Sequence, residues 1–247
     1  AAFSLRRQRL QPASIDGSAI QHEQASTATK SGPVPIPVVY LPLYSAPLPS
    51  THRFPMAKFQ MLHDLLLTQG VISRSQLQCP VSIARRDLER VHSRRYHEAF
   101  SGDRLTRPEQ RRIGLPATRE LVQRTWLAVG GTLLCARLAL RQGLACHLAG
   151  GTHHAHPDFG SGFCIFNDVA IAARVLLDRG ELRRILVVDL DVHQGDGTAA
   201  CFQTDPRVTT LSVHAASNFP LRKVSGDIDI SLPDGTGDDD YVEAIGD

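Results

Sequence analysis

Ile185-Leu186-Val187-Val188 runs straight into Asp189-Leu190-Asp191-Val192-His193-Gln194-Gly195-Asp196-Gly197. Carboxylate oxygens and imidazole nitrogens are ordinary zinc ligands, and a catalytic zinc keeps one coordination position open for water. Alternate residues of an extended chain point the same way, so Asp189, Asp191 and His193 would share a face. One aspartate behind a strand reads as a loop former or a helix cap. The whole Asp-x-Asp-x-His-x-x-Asp-Gly series behind an apolar strand reads as a donor set, placed where open α/β sheets gather their ligands.

A second group is Gly150-Gly151-Thr152-His153-His154. Adjacent histidines can face one cavity if the backbone turns sharply, which the glycines permit. An imidazole beside an activated water can take its proton and later return one to a leaving amine. A carboxylate on each ring would set its tautomer and raise its basicity, and Asp189 and Asp196 are available for that. By itself a His-His pair is as well explained by a core or surface position. A third group, Gly160-Ser161-Gly162-Phe163-Cys164, would let backbone approach a ligand while Phe163 walls a narrow channel.

The elements that must position these groups are legible nearby. Ala145–Ala149 is a short apolar run ahead of the His-His loop. Asn167 is placed to cap a helix running to Arg179, with Gly180 as its stop. Ile185–Val188 suits a strand buried on both faces. A short helix near Ala199–Phe202 and a strand at Val208–Val213 follow. Strand, helix and strand at this spacing imply a parallel sheet with right-handed crossovers. Upstream, Val38–Leu41 reads as a first strand within a proline-rich stretch, and residues 55–69 as a helix stopped by Gly70. Residues 84–100 read as one or two short helices and 117–142 as a longer one. In that longer helix Gly130-Gly131 costs stability and so implies a close packing contact. Asp227–Leu232 reads as a strand, and a helix opens at Asp238.

The 247 residues are 42% hydrophobic and 21% charged, ordinary for one large α/β domain. No apolar run approaches the ~18 residues of a membrane span. The formal net charge is +2, with 18 Lys+Arg against 9 Asp+Glu in residues 1–125 and 9 against 16 in the remainder. The basic half is scattered arginine, which reads as solvated surface and gives no expectation of direct nucleic-acid binding. The 5 cysteines form no Cys-x-x-Cys pair, so a disulfide framework or a zinc ribbon is not expected and a reducing, cytoplasmic setting is. Residues 1–35 read as a disordered tail or a targeting segment, the latter leaving an organelle or the nucleus open, and 36–247 as one catalytic domain.

Gly-Gly-x-His-His, then Gly-Phe-Cys-x-x-Asn-Asp, then Val-Asp-Leu-Asp-x-His-x-Gly-Asp-Gly, in that order, resembles the histone deacetylase superfamily. Asn218-Phe219-Pro220, Leu232-Pro233-Asp234-Gly235-Thr236-Gly237-Asp238 and His52-Arg53-Phe54-Pro55-Met56 are similar to its class IV branch, and bacterial amidohydrolases of the group are close as well. The resemblance implies a three-layer arginase/deacetylase-like α/β fold with a mostly parallel central sheet. It implies hydrolysis of N-acyl-lysine in protein or peptide, or of a small acylated amine, by metal polarisation of the carbonyl and attack of activated water. Asp191 and His193 would be metal ligands, with zinc or iron(II) as the cation. His154 would be the general base or acid, paired with Asp196, and His153 its electrostatic partner, paired with Asp189. Asp189 and Ser212 would help hold a structural potassium ion. Gly162, Phe163 and Phe219 would line the acyl-lysine channel, with Arg53 at its inner end.

The superfamily's third metal ligand, a later aspartate, and its Gly-Gly-Tyr tyrosine have no counterpart before Asp247. The expectation is therefore of a chain incomplete at its C-terminus and nearly inactive by itself, since losing one oxyanion donor typically costs ~10²–10³ in rate. Two other readings share the pattern: a non-catalytic acyl-lysine-binding remnant, and a binuclear manganese ureohydrolase of the arginase type. A family name does not make histones the substrate.

Overall fold

A computed structural model describes residues 2–4 and 35–246. Most of the expected tail, residues 5–34, lies outside the described residues.

Ala2–Ser4 forms β1 and Val38–Val39 forms β2, with a 3-10 turn at Pro42–Tyr44 directly after. The first strand expected over Val38–Leu41 is thus cut short. Pro42 has no N–H for a ladder, and its fixed φ suits a turn. Helix α1 spans Lys58–Thr68, and Gly70 takes a φ of +66° where the chain leaves it. After β3 (Leu77–Gln78) come α2 (Arg85–Leu88) and α3 (Arg94–Ser101), the two short helices expected there. Next is α4, Arg107–Ile113, which the sequence reading passed over. Its start carries a reciprocal cap: Thr106 N donates to Glu109 Oε2 at 2.8 Å, and Glu109 N donates to Thr106 Oγ1 at 3.4 Å.

Helix α5, Arg119–Gln142, begins on Thr118, whose hydroxyl accepts from Leu121 N at 3.2 Å. The expected close contact at its paired glycines is present. A Cβ on Gly130 would stand 1.8 Å from the carbonyl oxygen of Val81, and one on Gly131 2.2 Å from the Tyr44 hydroxyl. The remaining elements are β4 (Leu144–His147), α6 (Asp168–Asp178), β5 (Ile185–Asp189), α7 (Asp196–Phe202), β6 (Val208–Ala215), β7 (Ile228–Leu232) and α8 (Asp238–Gly246). Asn167 caps α6 as expected, accepting from Ala170 N at 2.9 Å, and Gly180 follows with a φ of +69°.

The strands are mostly parallel and lie in two sheets, ordered β1-β4-β2-β3 and β5-β6-β7. β1 runs antiparallel to β4, while every other pairing is parallel. β4 and β5 are therefore not ladder neighbours, because both edges of β4 are taken, by β1 and β2. The expectation that β5 is buried on both faces fails as well. Leu186 is 59% and Val188 51% exposed, while Ile185 and Val187 pack towards α6 and α7. Among the described residues β5 is an edge strand covered on one face, so its uniformly apolar run hides the alternation seen there. The main core gathers α5 and α6 with Tyr44, Tyr96, Phe100 and Phe166. Among the described residues no helix is long and apolar enough to cross a membrane.

Candidate active site

The His-His loop leaves β4 and is gripped from behind by α6. Asp168, the first residue of that helix, accepts from Gly151 N at 3.1 Å and Thr152 N at 2.7 Å, and from the Thr152 and Thr132 hydroxyls. Thr132 on α5 also meets His147 Nδ1 at 3.0 Å, and His147 Nε2 meets the Tyr44 hydroxyl at 2.8 Å. These bonds satisfy a buried carboxylate and hold the loop to two helices, and together they keep Asp168 ionised despite burial that works against it. From the other side α7 presses on the loop. Thr198 N donates to His153 O at 3.0 Å, and a Cβ on Gly197 would lie 2.5 Å from Ala155 O, so this first turn has to be glycine. Asn167 ties loop and helix together through Ala155 O at 3.2 Å and Thr198 Oγ1 at 3.0 Å.

Held this way, both imidazoles meet carboxylates arriving from β5 and α7. His153 Nδ1 donates to Asp189 Oδ2 at 2.6 Å and His154 Nδ1 to Asp196 Oδ1 at 2.6 Å. The rings sit 4.0 Å apart, centroid to centroid. In these tautomers each Nε2 keeps a lone pair. The second oxygen of Asp196 takes His156 Nε2 at 2.9 Å, a partner that sequence reasoning missed. The signal was a third histidine two residues beyond His154 on the same loop.

The two rings titrate differently. Burial lowers the pKa of His153, but the hydrogen bond to Asp189 and the charges of Asp189, Asp191 and Asp196 outweigh it and leave the value raised. For His154 burial dominates: the bond to Asp196 is offset by the neighbouring His153 and His193, and the value ends lowered. Asp196 is buried, which works against its charge, but its bonds to two imidazoles outweigh that and hold it down at about 2.

Asp191 and His193 stand opposite. Asp191 Oδ1 accepts from His193 N at 2.9 Å and lies 2.9 Å from His193 Nδ1, while Asp189 Oδ1 accepts from Asp191 N at 3.0 Å. Two ligands of one zinc, each at about 2.1 Å, stand roughly 3.0–3.4 Å apart. The oxygen and nitrogen found here nearly fit such an edge. Among the described residues no group of three or more His, Cys, Asp or Glu side chains is arranged to hold a metal, so a divalent cation is offered two protein donors.

His154 and His193 rings are 5.7 Å apart, and Phe219 lies 4.8 Å from the first and 6.1 Å from the second. A Cβ on Gly162 would stand 2.8 Å from His154 Cδ2 and 2.9 Å from Phe219 Cε1, leaving a slot between them. Phe163 adopts a φ of +64°, uncommon for a bulky residue, and is held by its N–H on Ile113 O at 2.8 Å. These groups line one cavity of about 560 Å³, together with Arg53, Phe54, Phe59 and the Gly150–Thr152 backbone. Arg53 reaches it but stays exposed, its guanidinium carbon 6.0 Å from the Phe163 ring. The buried arginine of the cavity is Arg124 on α5, which sequence reasoning also missed. It falls on the stripe of Leu121, Thr125 and Ala128, where a charge is out of pattern. Ser212 faces Asp189 across the β5–β6 ladder, and both line a separate cavity of about 10 Å³.

Residues 52–247 match the histone deacetylase domain model. A protein of Picosynechococcus sp., described as uncharacterised, is 56% identical over 209 residues, covering 85% of this chain and 70% of that protein. The acetoin utilization protein AcuC of Staphylococcus aureus is 34% identical over 178 residues, 68% of this chain and 46% of AcuC. The crystal structure of an HDAC homolog from Aquifex aeolicus superimposes with a TM-score of 0.70 at 20% identity, over 85% of this chain and 62% of that one. That last likeness is one of fold. The chain belongs to the histone deacetylase family, and it spans about half the length of AcuC.

Proposed function

We propose that this cleft hydrolyses the amide of N-acyl-lysine in a protein or peptide, or of a small acylated amine, with zinc or iron(II) held by Asp191 and His193. A bound cation would polarise the amide carbonyl and acidify a water. The chain's own groups do the rest. His154 is neutral near pH 7 because it is buried, and Asp196 fixes its Nδ1–H, so its Nε2 is free to take a proton from the attacking water. The same nitrogen then protonates the departing amine. His153, more readily charged, favours the negative charge that develops on the carbonyl oxygen. Phe163, Phe219 and Gly162 enclose the aliphatic stem of a lysine. A potassium ion beside Asp189 and Ser212 would stiffen the strand ends; their pairing across the ladder supports this.

The observation that carries this reading is the pair of 2.6 Å histidine–carboxylate bonds opening onto the Asp191–His193 edge. With two donors among the described residues, the 247-residue chain is expected to hold its cation weakly and turn over slowly. Incubated with excess Zn(II) or Fe(II) and a fluorogenic acetyl-lysine peptide, it should release product in a cation-dependent way that His154→Ala abolishes. Release that survives both a chelator and His154→Ala would contradict the reading. A second reading, an acyl-lysine-binding module resting on the same Gly162–Phe163–Phe219 slot, would show peptide binding without any release.

A further inference from the structure

Five basic side chains line the 560 Å³ cavity, namely Arg53, Lys58, Arg111, Arg112 and Arg124, against the single carboxylate of Asp191. None of the five closes an ion pair with a carboxylate of the described residues. Arg124 is the decisive one. It is 6% exposed, its Nε donates to Tyr44 O at 3.3 Å, and neither Nη has a hydrogen-bond partner among the described residues. Its guanidinium carbon lies 4.9 Å from the centroid of Phe59, and Lys58 Nζ lies 5.3 Å from the same ring. The nearby buried carboxylate, Asp168, is already occupied by Thr132, Gly151 and Thr152. The guanidinium lines the cavity with its fork free of partners among the described residues, and its planar geometry matches a carboxylate bidentately.

Arg124 and His154 line the same cavity, together with Gly150, Gly151 and Thr152, so an acyl group whose carbonyl sits by His154 shares that space with the Arg124 guanidinium. We propose that the cavity selects amides whose acyl group ends in a carboxylate, such as succinyl- or glutaryl-lysine, with the terminal carboxylate on Arg124. This rests on the amide-hydrolysis reading and names its substrate class. Water adds to the acyl carbon, the C–N bond breaks, the amine nitrogen takes a proton, and a free dicarboxylate and the lysine amine are released. Cationic acylpolyamines are disfavoured by the five like charges, and a plain aliphatic acyl chain would leave the fork dry.

Fluorescein-labelled peptides carrying glutaryl-lysine, pentanoyl-lysine, or pentanoyl-lysine flanked by aspartates test this by fluorescence anisotropy on the whole chain. The glutaryl peptide should bind at least about tenfold more tightly than the pentanoyl peptide at low salt, with the ratio falling as salt rises. Arg124→Gln should bring the ratio close to one, and Arg124→Lys should lower it part of the way. The wild-type comparison stands even if Arg124→Gln fails to fold. Equal binding of the first two peptides overturns the proposal, as does a preference that follows the flanking aspartates instead of the acyl end. Glutaryl preference without cleavage of any peptide in excess zinc would sink amide hydrolysis and leave the ligand assignment standing. Cleavage of acetyl-lysine with no glutaryl preference would sink the ligand assignment alone.

Discussion

Asp196 sits between two imidazoles, 2.6 Å from His154 Nδ1 and 2.9 Å from His156 Nε2. One carboxylate at the first turn of α7 thus fixes the orientation of His154, the proposed general base, and buttresses the loop that carries it. Asp196→Asn keeps the volume but loses the charge and one acceptor. Turnover of an acyl-lysine peptide in excess metal should fall about 10–100-fold, the range typical for partners that orient a reacting histidine. His156→Ala should cost less than that, because Asp196 keeps its bond to His154. Steady-state rates of the two variants, measured side by side, check the order.

Gly162 lies in the slot between His154 and Phe219 and adopts a φ of +53°. An alanine there meets His154 Cδ2 at 2.8 Å and strains the backbone as well. Gly162→Ala should lower stability by about 1 kcal/mol and weaken acyl-peptide affinity severalfold. Thermal denaturation and peptide anisotropy on one preparation separate the two effects.

Stability should depend on pH through His92. Its Nε2 accepts from Asn167 N at 2.8 Å and its Nδ1 donates to Pro157 O at 3.3 Å, so the neutral ring is fully used. Burial pulls its pKa down to about 4. Between about 6.5 and 4 the unfolded chain therefore binds a proton that the folded chain refuses, and stability falls as pH drops through that window. The loss is on the order of 3 kcal/mol at most. Urea titrations at pH 7.5 and 4.5 measure it, and His92→Gln should flatten this part of the difference.

Leu186 and Val188 contribute little to the fold on the open face of β5. Each exchanged for threonine should change unfolding free energy by less than about 0.5 kcal/mol. Gly131→Ala, which drives a methyl group to 2.2 Å from the Tyr44 hydroxyl and 2.5 Å from His147 Nε2, should cost several times as much. Chemical denaturation of the three variants ranks them.

Local signals were read well where one residue does one job. Asn167 stands where a cap belongs, and the Gly130-Gly131 pair announced a crowded helix face. Helix α4 went unread because its apolar content is slight, although Thr106 and Glu109 spell its capping box. The exposed face of β5 was beyond reach: an all-apolar strand has no alternation to show which side is covered. Pairing of β1 with β4 depends on residues distant in sequence. At the site, motif order located the two His–Asp pairs, but His156 and Arg124 emerge once the loop and α5 are folded around the cavity.

Crystals of the protein soaked in zinc and measured by anomalous scattering test most directly whether the two motif segments meet at one cation. The expected peak lies about 2.1 Å from both Asp191 Oδ1 and His193 Nδ1, with a water on the ion within hydrogen-bonding reach of His154 Nε2. Zinc bound elsewhere, or a bound water well beyond the reach of both His153 and His154, would contradict it.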